Sequence, residues 1–206
     1  MIYDISPSIT ESIAVFPGDT SPRREVLMDM RRGDALTLST LRSTVHVGAH
    51  ADAPSHYGAD APTIEQVELQ MYIGPCQVIH VTVSRGALLA PDAISADISE
   101  PRVLFATGSY PDPGTFNTDF AALSPELVDW LAECGVRLVG VDTPSVDPAD
   151  SKDLLAHKAF LRNDMYILEG LVLSDVPEGR YELIALPLKL VGFDASPIRA
   201  VLRNAD

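Results

Sequence analysis

The sequence has no run of about 18 apolar residues, so no segment of it reads as a membrane span. Positive charge is scarce. Fifteen Lys and Arg stand against 29 Asp and Glu, for a formal net charge of −14. That balance disfavours nucleic acid and anionic membrane surfaces as partners. Cysteine is scarcer still. Cys76 and Cys134 are far apart and form no C-x-x-C pair. Neither a disulfide framework nor a cysteine zinc site is expected, and both read as free, buried thiols. The start, Met-Ile-Tyr-Asp-Ile, has no basic n-region and no apolar h-region. A secretory signal is therefore not expected, and the cytoplasm is the expected compartment. Internal repeats, low-complexity segments and linkers are lacking as well. The 206 residues, 46% of them hydrophobic, are expected to form one domain, 1–206, with a sizeable core.

What is present is concentrated in residues 46–57. Three of the five histidines, His46, His50 and His56, fall there together with Asp52. Imidazole and carboxylate are first-choice ligands for a borderline metal such as zinc. On a fully extended strand His46 and His50 would stand roughly 13 Å apart, too far to share one ion comfortably. Gly48, midway between them, permits a bend closed to other residues. Asp52 returns to the side of His50 on an extended segment, and Pro54 argues against a continuous helix. A strand ending in a bent, ligand-bearing loop is expected.

The remaining pattern predicts an α/β chain. Residues 1–5 read as a short strand and 6–20 as a loop in which Phe16 rides on a stiff turn, placed either to cap a pocket or to plug the core. Strands are expected over 23–30 and 35–47, the second leading directly into the ligand loop, and a short helix over 63–71. Residues 76–84 read as a strand carrying His80 as a structural histidine, and 91–96 as a short helix. The apolar run at 102–108 predicts a strand covered on both faces. Ser124 and Pro125 open a helix, with Trp130 in its core stripe. Residues 136–141 form another buried strand. It ends at Asp142 and Ser145, which either line a pocket or make Asx-type turn bonds. A helix over 151–161 with Ser151 as N-cap turns His157 inward. Strands at 165–168, 181–188 and 198–202 complete the chain. On local grounds alone, His157 reads as a satisfied core residue and Glu169, just past its strand, as a surface carboxylate.

The pattern His46-x-Gly48-x-His50-x-Asp52-x-Pro54-x-His56 resembles the metal-binding signature of the cyclase-like metal-dependent hydrolases. The likeness extends to Phe16-Pro17-Gly18-Asp19-Thr20, Gly74-Pro75-Cys76, the 142–148 stretch Asp-Thr-Pro-Ser-Val-Asp-Pro, residues 167–171, 183–188 and 194–203. Within the family it is closest to the arylformamidases. The resemblance implies a single-domain swivelling β/β/α fold, with a mixed sheet, an antiparallel N-terminal portion and packed helices. It also implies two divalent ions per subunit, zinc foremost, with Mn²⁺ or Fe²⁺ suiting the same ligands. By position, His46, His50 and Asp52 would bind the first ion. Asp52 and Glu169 would bridge to a second, completed by His157. His56 would be the catalytic acid/base, and Phe16 would contact the substrate's aryl ring. Phe16 stands where these enzymes commonly carry Trp, so the indole N–H donor is missing.

The activity implied is hydrolysis of an aryl formamide, N-formyl-L-kynurenine, to the free aryl amine and formate, a step in tryptophan breakdown. A homodimer is implied too. Two other readings share the motif: an isatin-hydrolase-like amide or lactam hydrolase, and a metal-binding protein without chemistry. His56 weighs against the second, since a structural site needs no free base beside it.

Overall fold

A computed structural model of the chain describes residues 1–204. Its strands are β1 (Ile2–Asp4), β2 (Arg23–Met28), β3 (Leu38–Arg42), β4 (His50–Asp52), β5 (Ile73–His80), β6 (Leu88–Leu89) and β7 (Arg102–Ala106). There follow β8 (Ala122–Leu123), β9 (Leu138–Val141), β10 (Tyr166–Glu169), β11 (Gly179–Ile184), β12 (Ala195–Pro197) and β13 (Val201–Asn204). Two α-helices, α1 (Pro125–Glu133) and α2 (Leu155–Arg162), pack on each other. A nine-stranded sheet runs β1-β13-β11-β5-β7-β9-β10-β4-β12, and β2–β3 and β6–β8 form separate pairs. The expected mixed sheet is there. β5, β7, β9 and β10 are parallel neighbours, flanked on both sides by antiparallel strands.

Strands β7, β9 and β10 are buried on both faces, as their apolar runs predict. Val103, Phe105, Val139, Val141 and Ile167 point to the core beneath α1 and α2. Their neighbours Leu104, Leu138 and Leu168 point to a second core on the opposite face, shared with Ala49, Ala51 and Tyr72. Helix α1 starts as expected. The Ser124 hydroxyl accepts from the Leu127 N–H, and Pro125 sits where no amide donor is needed. Trp130 is partly buried against the core beneath α1 and α2.

Several local expectations are corrected. The second early strand ends at Arg42, and residues 43–49 bend on their way to β4. Gly48, at φ +57°, supplies the bend. Residues 63–71 form two separate 3₁₀ turns, not a helix. Thr63 and Gln66 close the first through a capping box, and Val67 then turns extended. Residues 91–96 shorten to a 3₁₀ turn over Pro91–Ala93. The strand expected at 76–84 begins earlier, at Ile73. The strand at 181–188 stops at Ile184, and a short extra strand, β12, follows it. Helix α2 starts at Leu155, four residues later than expected, because Ser151 bonds the Leu154 N–H instead of capping the helix. Cys76 is buried, whereas Cys134, at the end of α1, is exposed. His80 is satisfied by the Val176 carbonyl, 2.7 Å from its Nε2, in keeping with a structural role.

Candidate metal centre

Two features of the sheet bring the ligand-type residues together. On β4, His50 and Asp52 are two residues apart and share a face. β10 pairs antiparallel with β4 and places Glu169 opposite His50. The Glu169 Oε2 consequently lies 3.2 Å from His50 Nε2. Glu169 is buried at 3% exposure, which corrects the local reading of it as a surface residue. Its other oxygen, Oε1, accepts from the Val146 N–H at 2.8 Å.

The bend at Gly48 folds His46 back over His50, with ring centroids 5.1 Å apart. His46 Nδ1 is 3.1 Å from Asp52 Oδ1, and His50 Nε2 is 3.4 Å from the same oxygen. On the other side of the carboxylate, His157 Nε2 lies 3.5 Å from Asp52 Oδ2 and 3.7 Å from Glu169 Oε1. His157 comes inward from α2, as its helical spacing predicts, and is 3% exposed.

Each of these three histidines has its outer nitrogen occupied. His50 Nδ1 is 2.9 Å from the Gly48 carbonyl oxygen. His157 Nδ1 is 2.6 Å from Asp147 Oδ2. His46 Nε2 is 3.0 Å from Asp194 Oδ2. Such outer partners fix tautomer and ring orientation in metal sites. Gly170 makes room for one of them: a Cβ there would overlap the Gly48 carbonyl oxygen.

The inner atoms are left without hydrogen bonds. Among the described residues, His50 Nε2, His157 Nε2 and both oxygens of Asp52 are buried and have no hydrogen-bond partner. Buried polar atoms rarely stay unpaired. Donors about 2.0–2.1 Å from one tetrahedral ion lie about 3.3–3.4 Å from each other, which matches the separations above. Two sets of ligand atoms each fall within 4.8 Å: His46, Asp52 and His56, and His50, Asp52 and Glu169. Asp52 belongs to both. The donor set therefore fits divalent cations.

The electrostatics point the same way. Burial opposes charge on His157, but its hydrogen bond to Asp147 and the facing carboxylates of Asp52 and Glu169 prevail, and its pKa rises to about 10. Burial likewise opposes charge on His46, yet contacts with Asp52 and Asp194 raise it to about 9. Asp52, despite full burial, is held well below the usual carboxylate range by His157, His46 and His50. The pocket has an excess of buried anion that, without metal, only protons on the histidines offset.

Sequence reasoning missed two residues. Asp147 bonds His157 and also caps α2, its carboxylate accepting from the Ala156 and His157 N–H groups at 3.0 Å each. An acid followed by proline shortly before a helix was the available signal. Asp194, just before β12, touches both His46 and His56, and nothing in its local sequence marks it. Of the two readings offered for Asp142 and Ser145, the cavity lining holds for both and the local turn bond for Ser145 alone. They line the cavity; Asp142 also accepts from the Thr107 and Gly108 N–H groups and the Thr107 hydroxyl, and Ser145 from the Asp147 N–H. Burial pushes the Asp142 pKa up in spite of these donors.

The centre forms the floor of a cavity of about 850 Å³, within the usual range for small-molecule sites. His56 is a third exposed at its wall. Phe16 lines the cavity and packs edge-on against Phe116, centroids 5.3 Å apart, so it lies at the pocket and does not plug the core.

The model of the Cyclase family, described as "Putative cyclase", matches residues 3–148. The chain is 47% identical over 205 residues, 98% of each sequence, to a kynurenine formamidase of Bordetella petrii. Its fold superposes with a TM-score of 0.86 on a structure titled "potential metal-dependent hydrolase with cyclase activity", at 32% identity over 98% of this chain and 96% of that one. Isatin hydrolase A of Labrenzia aggregata has the same fold, with a TM-score of 0.87 at 24% identity over 100% of this chain and 94% of the other.

Proposed function

The chain belongs to the Cyclase family, and from that premise we propose that it is a metal-dependent arylformamidase that hydrolyses N-formyl-L-kynurenine to L-kynurenine and formate in tryptophan degradation. Full-length similarity to a kynurenine formamidase supports the substrate. One observation carries the dinuclear reading: the two oxygens of Asp52 face different histidines, Oδ1 toward His46 and His50 and Oδ2 toward His157. In this reading His46, His50 and Asp52 hold one ion. Asp52, Glu169 and His157 hold the other. Zinc suits the set best, with Mn²⁺ or Fe²⁺ as alternatives. When bound, the ions supply Lewis-acid polarisation of the formyl carbonyl and lower the pKa of a water. Among the described residues no Lys or Arg lines the cavity, so the chain itself brings no fixed cation to the developing oxyanion.

His56 is the acid/base. It takes a proton from the attacking water and returns it to the aryl nitrogen as the C–N bond breaks, so that water plus formamide becomes amine plus formate. Phe16, with Phe116 behind it, offers an apolar face for the aryl ring. The buried ligands keep bulk water from the floor of the cavity. The whole of 1–206 acts as one domain, in the cytoplasm.

A homodimer fits the β2–β3 hairpin. Among the described residues it pairs only with itself, and Leu27, Met30, Leu36, Leu38 and Leu41 are exposed on or beside it. A lone two-stranded hairpin is marginal in water, and a second copy would cover it. Among the described residues no helix is long and apolar enough to cross a membrane.

The test is loss of N-formylkynurenine absorbance by purified protein. Turnover should vanish with chelator and return with zinc. No turnover after metal is restored would sink the reading. Turnover of isatin in place of the formamide would favour the second reading, which Phe16 in the usual Trp position keeps in play.

A further inference from the structure

We propose that Asp194 is a positioning residue for the reaction, its single oxygen Oδ2 holding the base His56 and the ligand-type His46 in register with each other. The proposal rests on the reading of His56 as acid/base. Oδ2 lies 3.0 Å from His46 Nε2 and 3.3 Å from His56 Nδ1. The two rings are neighbours, with centroids 4.3 Å apart and planes tilted by 43°.

The oxygen meets opposite nitrogens in the two rings, and that decides what each ring presents. An acceptor at Nδ1 of His56 keeps the proton there and leaves Nε2 with its lone pair for the substrate side. An acceptor at Nε2 of His46 leaves Nδ1 with its lone pair toward Asp52, 3.1 Å away. When His56 carries the proton between water and amine, the same anionic oxygen faces the imidazolium.

Asp194 is not on a loose loop. Its carbonyl accepts from the Ala53 N–H at 2.9 Å, and that of Phe193 accepts from the Ile64 N–H at 3.0 Å. The next residue, Ala195, pairs with Asp52 in the β12–β4 ladder. Strand pairing thus fixes the carboxylate relative to the residue that both ligand sets share. Asp147 performs a simpler version of this task for His157 in a buried pair. Asp194 differs in being 47% exposed at its side chain, where a histidine can exchange protons with solvent.

The experiment compares Asp194→Ala and Asp194→Asn with wild type in three readouts: metal content, steady-state kinetics, and the ring ¹⁵N shifts of His56 in the metal-free protein. Wild type should show His56 protonated at Nδ1. Asp194→Ala should lose that preference and about 10–100-fold in kcat, the scale of an outer-partner mutation, with KM little changed. Added acetate should restore part of the rate to Asp194→Ala and none to His56→Ala. Asp194→Asn keeps an acceptor without charge, so it should retain the tautomer and fall between the two in rate. An Asp194→Ala protein with an unchanged His56 tautomer, or with kcat within twofold of wild type, overturns the proposal. Failure of the function itself would show separately, in a wild-type protein that turns over no aryl formamide.

Discussion

The site has two halves built from the same side-chain types but placed differently. The inner half, His50, Asp52, His157 and Glu169, is at most 3% exposed. Each histidine and Glu169 is held there by its own partner: the Gly48 carbonyl, Asp147 and the Val146 amide. In the outer half, His46 and His56 are 17% and 33% exposed and share the half-exposed Asp194. Buried charge is worth holding only if it is matched, so the inner half is suited to fixing cations. Protons are exchanged where solvent reaches, so His56 in the outer half is suited to acid/base work, while His46 beside it still turns Nδ1 toward Asp52. Similar chemistry at different depth divides the labour.

The largest break in this comparison should come from exchanging its two key residues in turn. Asp52→Ala removes the carboxylate common to both ligand sets, and should lose bound metal and fall to background activity. His56→Ala should keep its metal and lose about 10²–10⁴-fold in kcat, the range of general acid–base catalysis. Elemental analysis beside initial rates separates the two. Loss of metal from His56→Ala would instead make His56 a ligand, in line with its closeness to His46 and Asp52.

A smaller effect is expected at Asp147. Asp147→Asn should weaken metal binding by about 10–100-fold through the loosened His157. Asp147→Ala should in addition cost about 0.5–2 kcal/mol of stability as the start of α2 loses its cap. Chelator competition and thermal melts read the two separately. Equal metal affinity in all three proteins would show that the inner half does not need its outer partner.

The smallest effect is a matter of protons. In the metal-free protein His46 and His157 titrate near 9 and 10 in place of 6.5. Both carry protons at pH 7, and His50 is raised in the same direction, so metal binding should release at least two protons. Calorimetry in buffers of different ionisation heat counts them; a release near zero would refute the assignment. The sign for stability follows. A histidine raised above 6.5 stabilises the metal-free fold fully below pH 6.5 and loses that contribution as pH climbs through 9 and 10. The metal-free melting temperature should therefore fall across that window while metal affinity rises.

Part of each half was legible because its residues are close in sequence. His46, His50, Asp52 and His56 lie within eleven residues, and Gly48 signals the bend that gathers them. The parallel strands were equally legible, since an apolar run such as Val103–Ala106 has few other homes. Glu169 was not, because its place depends on β10 pairing with β4 in one register, which no local pattern states. Asp194 is hidden for the same reason, standing just before a three-residue strand too short to show periodicity. The 3₁₀ turns at 63–71 look like a helix in sequence, since a capping box can start either structure and only the extended Val67 distinguishes them.

The placement of β4 between β10 and β12 has a consequence in time. His56 and Asp194 are 138 residues apart. At about 5–20 residues per second, a growing chain displays the histidine loop for roughly 7–28 s before Asp194 is made. For most of that interval β4 lacks both neighbouring strands, and β10 with Glu169 arrives only late in it. The loop emerges with its ligand-type side chains bared and its frame unbuilt, so the complete site can form only after synthesis has nearly finished.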